Sequence, residues 1–343
     1  MTPTGWLLIY LVLAAVVVFL AIKLSNYVDL LDKKTKLSGA LLGGILLAAV
    51  TSLPELFTSL TGTLAIHNNK LVLGNIMGSD FFDIIIFGVV YILFFKSLVE
   101  KRLGKQHYYT IFFTFAMVVA VTCAAFVFHK QGWLIGGYFN PMSFAIIAIY
   151  IVSVWKTPKT EEKEEKEEDK SKLTVKQIWI LFAVCSVLLI GASIGVTYVT
   201  DEVVKGFGIG ATFGGSLFLG LATSLPEVTA TIALCKKKNF DAAFGDIFGS
   251  CVFNIIILAI ADALSFNSGA LYGVDESSFM LIVGTAFVLL LALISIIYIR
   301  SNKFNFDVKS RVILSVFAVL LLGSYIAYLV LSNLGLTFDF LYV

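Results

Sequence analysis

The same five residues occur twice in this chain, as Thr51-Ser52-Leu53-Pro54-Glu55 and as Thr223-Ser224-Leu225-Pro226-Glu227. A second motif follows each copy: Gly74-Asn75-Ile76-Met77-Gly78-Ser79 in one case, Gly245-Asp246-Ile247-Phe248-Gly249-Ser250 in the other. Four residues past each serine comes a polar side chain, Asp83 or Asn254, and the spacing from glutamate to that residue is 28 in the first copy and 27 in the second. On a helix, residues three or four apart share a face. Ser52 with Glu55, Ser79 with Asp83, Ser224 with Glu227 and Ser250 with Asn254 therefore each present two oxygens together. Oxygen donors without His or Cys suit Ca²⁺, Na⁺ or Mg²⁺, and Ca²⁺ accepts six to eight of them with flexible geometry; zinc and copper are disfavoured.

These residues lie in strongly apolar surroundings. The chain has 343 residues, of which 59% are hydrophobic and 14% charged, with a mean hydropathy of +0.94. A typical soluble domain carries about 25% charged residues. Fourteen of the charges fall between Lys156 and Lys176, leaving the remainder of the chain poorer still. The composition describes an integral membrane protein and excludes a soluble enzyme or a nucleic-acid binder. Ten segments reach the roughly 20 residues that span a bilayer core: 5–25, 38–66, 71–95, 108–129, 137–155, 177–199, 209–235, 240–264, 277–299 and 312–335. They are too long and continuous for a membrane barrel. The N-terminal Met-Thr-Pro-Thr-Gly-Trp has no basic region, so the first apolar run is expected to stay as a span and not to act as a cleaved signal.

Basic loops remain cytoplasmic. Placing the ten spans puts 22 Lys and Arg on one side and only Lys70, Lys130 and Lys205 on the other, which orients both termini outside. The Glu/Lys stretch Lys156–Lys176 has opposite charges at helical spacing and reads as a solvated cytoplasmic linker. It divides the chain into residues 1–155, with a first repeat at about 38–88, the linker 156–176, and residues 177–343, with a second repeat at about 210–260. Five spans per half make the second half enter the membrane from the opposite side, so the halves are inverted. Inverted repeats with polar residues in mid-span mark secondary transporters.

Only five prolines occur, and the two inside spans are Pro54 and Pro226. Each removes a helix hydrogen bond and frees a carbonyl four residues back, at Val50 and Ala222, and such groups need a partner in lipid. A mid-membrane carboxylate costs a few kcal/mol, which makes Glu55 and Glu227 functional candidates. Gly74 with Gly78, and Gly245 with Gly249, are steps of small residues that let helix backbones approach and bring Ser79 and Ser250 inward. The four cysteines, Cys123, Cys185, Cys235 and Cys251, have no metal-type spacing and read as small buried residues.

The paired motifs resemble the α-repeats of the calcium/cation antiporter superfamily, and most closely its prokaryotic sodium/calcium exchanger branch, whose signature is (G/A)TSLPE followed by GNxxGS(N)xxx(N/D) in each half. The resemblance covers roughly Ser38–Gly88 and Gly210–Ile260. It implies an all-α fold of ten transmembrane helices, built as two inverted five-helix repeats with discontinuous helices at the centre. The cation ligands it implies are Thr51, Ser52, Glu55, Ser79, Asp83, Thr223, Ser224, Glu227, Ser250 and Asn254. The activity it implies is antiport of Ca²⁺ against Na⁺ across the plasma membrane by alternating access, with no cofactor and no enzymatic reaction. Four positions depart from the signature: Val50 replaces the usual glycine, Asp80 and Cys251 stand where Asn is frequent, and Asp246 replaces the Asn of GNxxGS. Asp83 and Asn254 also reverse the Asn-then-Asp order of the archaeal type.

A proton-coupled Ca²⁺ antiporter is the alternative, although its usual motif lacks TSLPE. An intramembrane aspartyl protease needs GxGD and a Tyr-Asp pair; the chain has Ala243-Phe244-Gly245-Asp246 and no Tyr-Asp. Intramembrane serine or metal proteases need an embedded histidine, whereas His67, His107 and His129 fall near span ends or loops. A passive channel differs in needing no counter-ion.

Overall fold

The computed structural model describes residues 1–34, 51–100, 104–131, 141–157, 171–236, 240–265, 276–301 and 308–333. Among these the regular secondary structure is entirely helical. In chain order the helices are α1 (Pro3–Lys34), α2 (Leu53–Leu64), α3 (Asn69–Glu100), α4 (Lys105–Gln131) and α5 (Pro141–Lys156). After the linker come α6 (Val175–Phe207), α7 (Ala211–Lys236), α8 (Phe240–Leu264), α9 (Glu276–Ser301) and α10 (Val308–Asn333). Eight are long and apolar enough to cross a membrane; α5 is apolar but has 16 residues. α2 has 12, because residues 35–50, the first part of the expected second span, lie outside the described residues, as does most of the charged stretch 156–176.

The helix ends follow local chemistry. α6 opens on a capping box: the Thr174 hydroxyl accepts from the Gln177 backbone N–H while the Gln177 side chain accepts from the Thr174 backbone. It closes on Gly208 at φ 66°, the left-handed position that glycine occupies without penalty. The Lys34 ammonium at the end of α1 donates to the carbonyls of Ser171 (3.0 Å) and Leu173, which ties that end to the entry of α6.

The two prolines do different things. α2 begins at Leu53, with Pro54 in its first turn, where a missing N–H costs nothing. Ser52, at φ −89° and ψ 7°, precedes the helix as its N-cap, and the residues before Thr51 lie outside the described residues. In α7 the helix runs unbroken from Gly220 through Pro226 to Lys236, and the irregularity sits upstream as a π turn at Gly215–Leu219. Such turns are frequent at functional sites. The π turn is held from two sides: Tyr10 of α1 donates to the Phe218 carbonyl at 2.7 Å, and the Ser216 and Tyr328 hydroxyls are 3.0 Å apart.

α3 and α8 are the most enclosed spans. They pack on each other, α1 packs along α6, and α4 packs against α9. α3 also touches α7, α9 and α10, while α8 touches α2, α4 and α5. Large apolar side chains point outward, with Val187 69% exposed and Val319 62%, whereas thirty-odd polar residues are buried. Apolar outside and polar inside suits a lipid surround.

Gly74 and Gly78 make the expected close approach. A Cβ on Gly74 would lie 2.2 Å from the Thr212 carbonyl oxygen, and one on Gly78 2.5 Å from Ser216 Cα. Gly215 and Gly220 of α7 return the contact against Leu71, Asn75 and Ser79. Gly245 and Gly249 do not match the expectation. Among the described residues a Cβ on Gly249 would meet nothing within 4 Å and one on Gly245 only a His107 ring atom at 3.9 Å. The small-residue step therefore locks α3 to α7 but does not lock α8 to a described neighbour.

Candidate cation site

All ten expected ligand residues, Thr51, Ser52, Glu55, Ser79, Asp83, Thr223, Ser224, Glu227, Ser250 and Asn254, are fully buried. They come from α2 and the turn before it, from α3, from α7 and from α8. Two hydroxyl contacts run between the two copies of the repeat. The Ser52 and Ser250 hydroxyls are 3.3 Å apart, as are those of Ser79 and Thr223. Thr223 lies against the Glu55 carboxyl and Ser224 against that of Asp83, outside hydrogen-bond geometry. Ser250 donates to Glu227 Oε1 at 3.4 Å. Ser79 and Thr223 both point toward the Gly220 carbonyl, at 3.4 and 3.5 Å, beside the π turn.

The carboxylates are under-satisfied. Both oxygens of Glu55, Oε2 of Glu227, Oδ1 of Asp83 and the Ser224 hydroxyl have no hydrogen-bond partner. Their charges act on one another: Glu227 feels Glu55, Asp83 and Asp246. Among the described residues no lysine or arginine is buried with them. Unpaired buried carboxylates cost several kcal/mol each, and oxygen donors of this kind suit Ca²⁺ or Na⁺ coordination.

The structure adds residues that the motif reading left outside the ligand set. Asp80 is fully buried, and its Oδ1 accepts from the Asn254 amide at 3.0 Å while Oδ2 has no partner. Cys251 Sγ lies 4.0 Å from Asp83 Oδ2. One donor atom from each of Asp80, Asp83 and Cys251 lies within 4.8 Å of the others. The expected all-oxygen set thus has a cysteine beside it. Cys251 has no metal-type spacing in sequence because its neighbours belong to another helix. The signal was present, however: Asp80 and Cys251 are the residues directly after the two motif serines. Asp246 is also buried, with Oδ2 unpartnered.

Asn75 serves packing. Its amide donates to Thr58 (2.9 Å) and Ser59 (3.3 Å), which fastens α2 to α3, and its carbonyl oxygen is 3.5 Å from Thr223 Oγ1. His107 is buried and meets the rings of Phe244 and Phe248 edge-on, at 6.2 and 6.1 Å.

Comparison with known proteins speaks to the fold and the family. A curated sodium/calcium exchanger, MaX1 of Methanosarcina acetivorans, is 28% identical over 131 residues; the match spans 37% of this chain and 34% of that protein, about a third of its length. Among solved structures, the H⁺/Ca²⁺ exchanger CAX superposes over 96% of this chain and 90% of its own, with a TM-score of 0.65 and 16% identity. YfkE gives 0.66 over 94% and 90%, at 14% identity. The sodium-calcium exchanger NCX_Mj, soaked with Na⁺ and Sr²⁺, gives 0.54 over 96% and 98%, at 17% identity. At these identities the likeness speaks for the fold. The family described as sodium/calcium exchanger protein matches residues 5–156 and 177–334, nearly the whole sequence on either side of the charged linker, and the chain belongs to that family.

Proposed function

We propose that the chain is a secondary active antiporter that exchanges Ca²⁺ for Na⁺ across the plasma membrane by alternating access. The observation that carries the reading is the set of unpartnered buried oxygens on Glu55, Glu227 and Asp83, brought together from two copies of one motif with no buried lysine or arginine among the described residues. The cation ligands are then Thr51, Ser52, Glu55, Ser79, Asp83, Thr223, Ser224, Glu227, Ser250 and Asn254.

The transporter is built as two inverted five-helix halves, residues 1–155 and 177–343, joined by a cytoplasmic linker, with both termini outside. The helix contacts support this. Exchanging α1 for α6, α2 for α7, α3 for α8, α4 for α9 and α5 for α10 converts the pairing α3–α10 into α8–α5, α2–α6 into α7–α1, and α3–α9 into α8–α4, all of which occur. The family match on each side of the linker agrees.

Ion balance shapes the coupling. Glu55, Asp83 and Glu227 carry three charges when ionised, so one Ca²⁺ leaves one unbalanced while three Na⁺ balance it. A bare site resists moving through the membrane because unpaired carboxylates there cost several kcal/mol. Exchange with more than two Na⁺ per Ca²⁺ is electrogenic. Asp80 is a further buried carboxyl beside this set, paired with Asn254. It favours the second reading, proton coupling, because a proton can balance the extra charge with no added ligand.

Calcium uptake into proteoliposomes, with either a Na⁺ or a pH gradient and the potential clamped, separates the two. Sodium-driven, voltage-dependent uptake is the expected result, with Asp83→Asn changing the Na⁺ dependence more than the Ca²⁺ affinity. Uptake that ignores Na⁺ and follows the pH gradient establishes the proton-coupled reading.

A further inference from the structure

We propose that Asp80, Asp83 and Cys251 form a second cation subsite that takes a thiophilic divalent ion such as Zn²⁺ or Cd²⁺. It shares Asp83 with the ligands assigned above and adds two residues that are not among them. The two residues that follow the motif serines, Asp80 on α3 and Cys251 on α8, meet where those helices pack. Their donor atoms and one from Asp83 lie within 4.8 Å of one another. Donors that close together can close on one ion between them.

Three further observations support a ligand here. All three residues are fully buried. Asp80 Oδ2 and Asp83 Oδ1 have no hydrogen-bond partner. The Asn254 amide holds Asp80 Oδ1 at 3.0 Å, which fixes the carboxylate's rotation and leaves the second oxygen available. A hard ion gains little from sulfur, whereas a softer divalent ion binds thiolate strongly. The subsite therefore discriminates by chemical softness, independently of whether Na⁺ or H⁺ drives transport. On binding, the Cys251 thiol gives up its proton to solvent and the freed sulfur pair forms the metal–sulfur bond.

The test uses purified full-length protein with no ion gradient, titrated with Cd²⁺ while the ultraviolet cadmium–thiolate charge-transfer absorption is recorded. A variant with Cys123, Cys185 and Cys235 changed to Ser retains Cys251 as its single thiol. The expected result is a band that saturates at one Cd²⁺ per chain in this variant and in the native sequence. Cys251→Ser removes the band, and Asp80→Asn raises the Cd²⁺ needed at least tenfold. Absence of the band in the native protein overturns the proposal, as does an undiminished band in Cys251→Ser. If the three-serine variant does not fold, the native protein and Cys251→Ser still decide. Because no transport is measured, failure of the subsite and failure of the antiport reading are separate outcomes.

Discussion

The side-chain amide of Asn254 on α8 donates to the Asp80 carboxylate on α3 at 3.0 Å, in the fully buried centre of the molecule. Each partner belongs to a different copy of the repeat, so this bond joins the copies at the site itself. A hydrogen bond to a charged group contributes about 1.5–3 kcal/mol, and removing one partner strands the other. A double-mutant cycle of Asp80→Ala and Asn254→Ala, read in apparent Ca²⁺ affinity, should give a coupling of about 1–2 kcal/mol. Additive effects would show that the pair does not act as a unit.

Glu55→Gln and Glu227→Gln should each reduce Ca²⁺ flux to the level of protein-free liposomes while the protein still inserts and elutes as a folded species. Each exchange keeps the shape and removes one ligand charge from the set that balances the divalent ion. Near-normal flux in either purified variant would refute the assignment of these glutamates as cation ligands.

Gly74→Ala should destabilise the protein by about 1–3 kcal/mol, the usual cost of overpacking. The added carbon would sit 2.2 Å from the backbone oxygen of Thr212, which cannot swing aside as a side chain can. Gly191→Ala, on an exposed face of α6 with nothing within 4 Å, should be neutral or slightly stabilising. Thermal unfolding in detergent compares the two; equal midpoints would argue against a tight α3–α7 contact.

A cysteine placed at Glu164, within the charged linker, should react with a membrane-impermeant reagent only from the cytoplasmic side. The bias of basic residues toward that face demands it. Labelling from outside intact cells would reverse the orientation.

The hydropathy, the doubled motif and the placement of two oxygens per helix face were legible in the chain because they are local properties. Apolar run length selects a membrane span, and the helical repeat decides which side chains share a face, whatever the rest of the molecule does. Ser52 with Glu55 and Ser250 with Asn254 could be paired on that basis, and all ten residues are buried. The helix start beside Pro54 follows from the same kind of local rule. The unbroken helix through Pro226 was not legible, nor was the π turn upstream of it, held by Tyr10 and Tyr328. The partners of Asp80 and Cys251 were hidden as well. Asn254 is 174 residues from Asp80 and Cys251 is 168 from Asp83. Such contacts depend on the register between α3 and α8, which packing of the whole bundle sets and no local period encodes. The same register explains why two identical glycine steps differ: Gly74 meets a backbone in α7, and Gly249 meets none among the described residues.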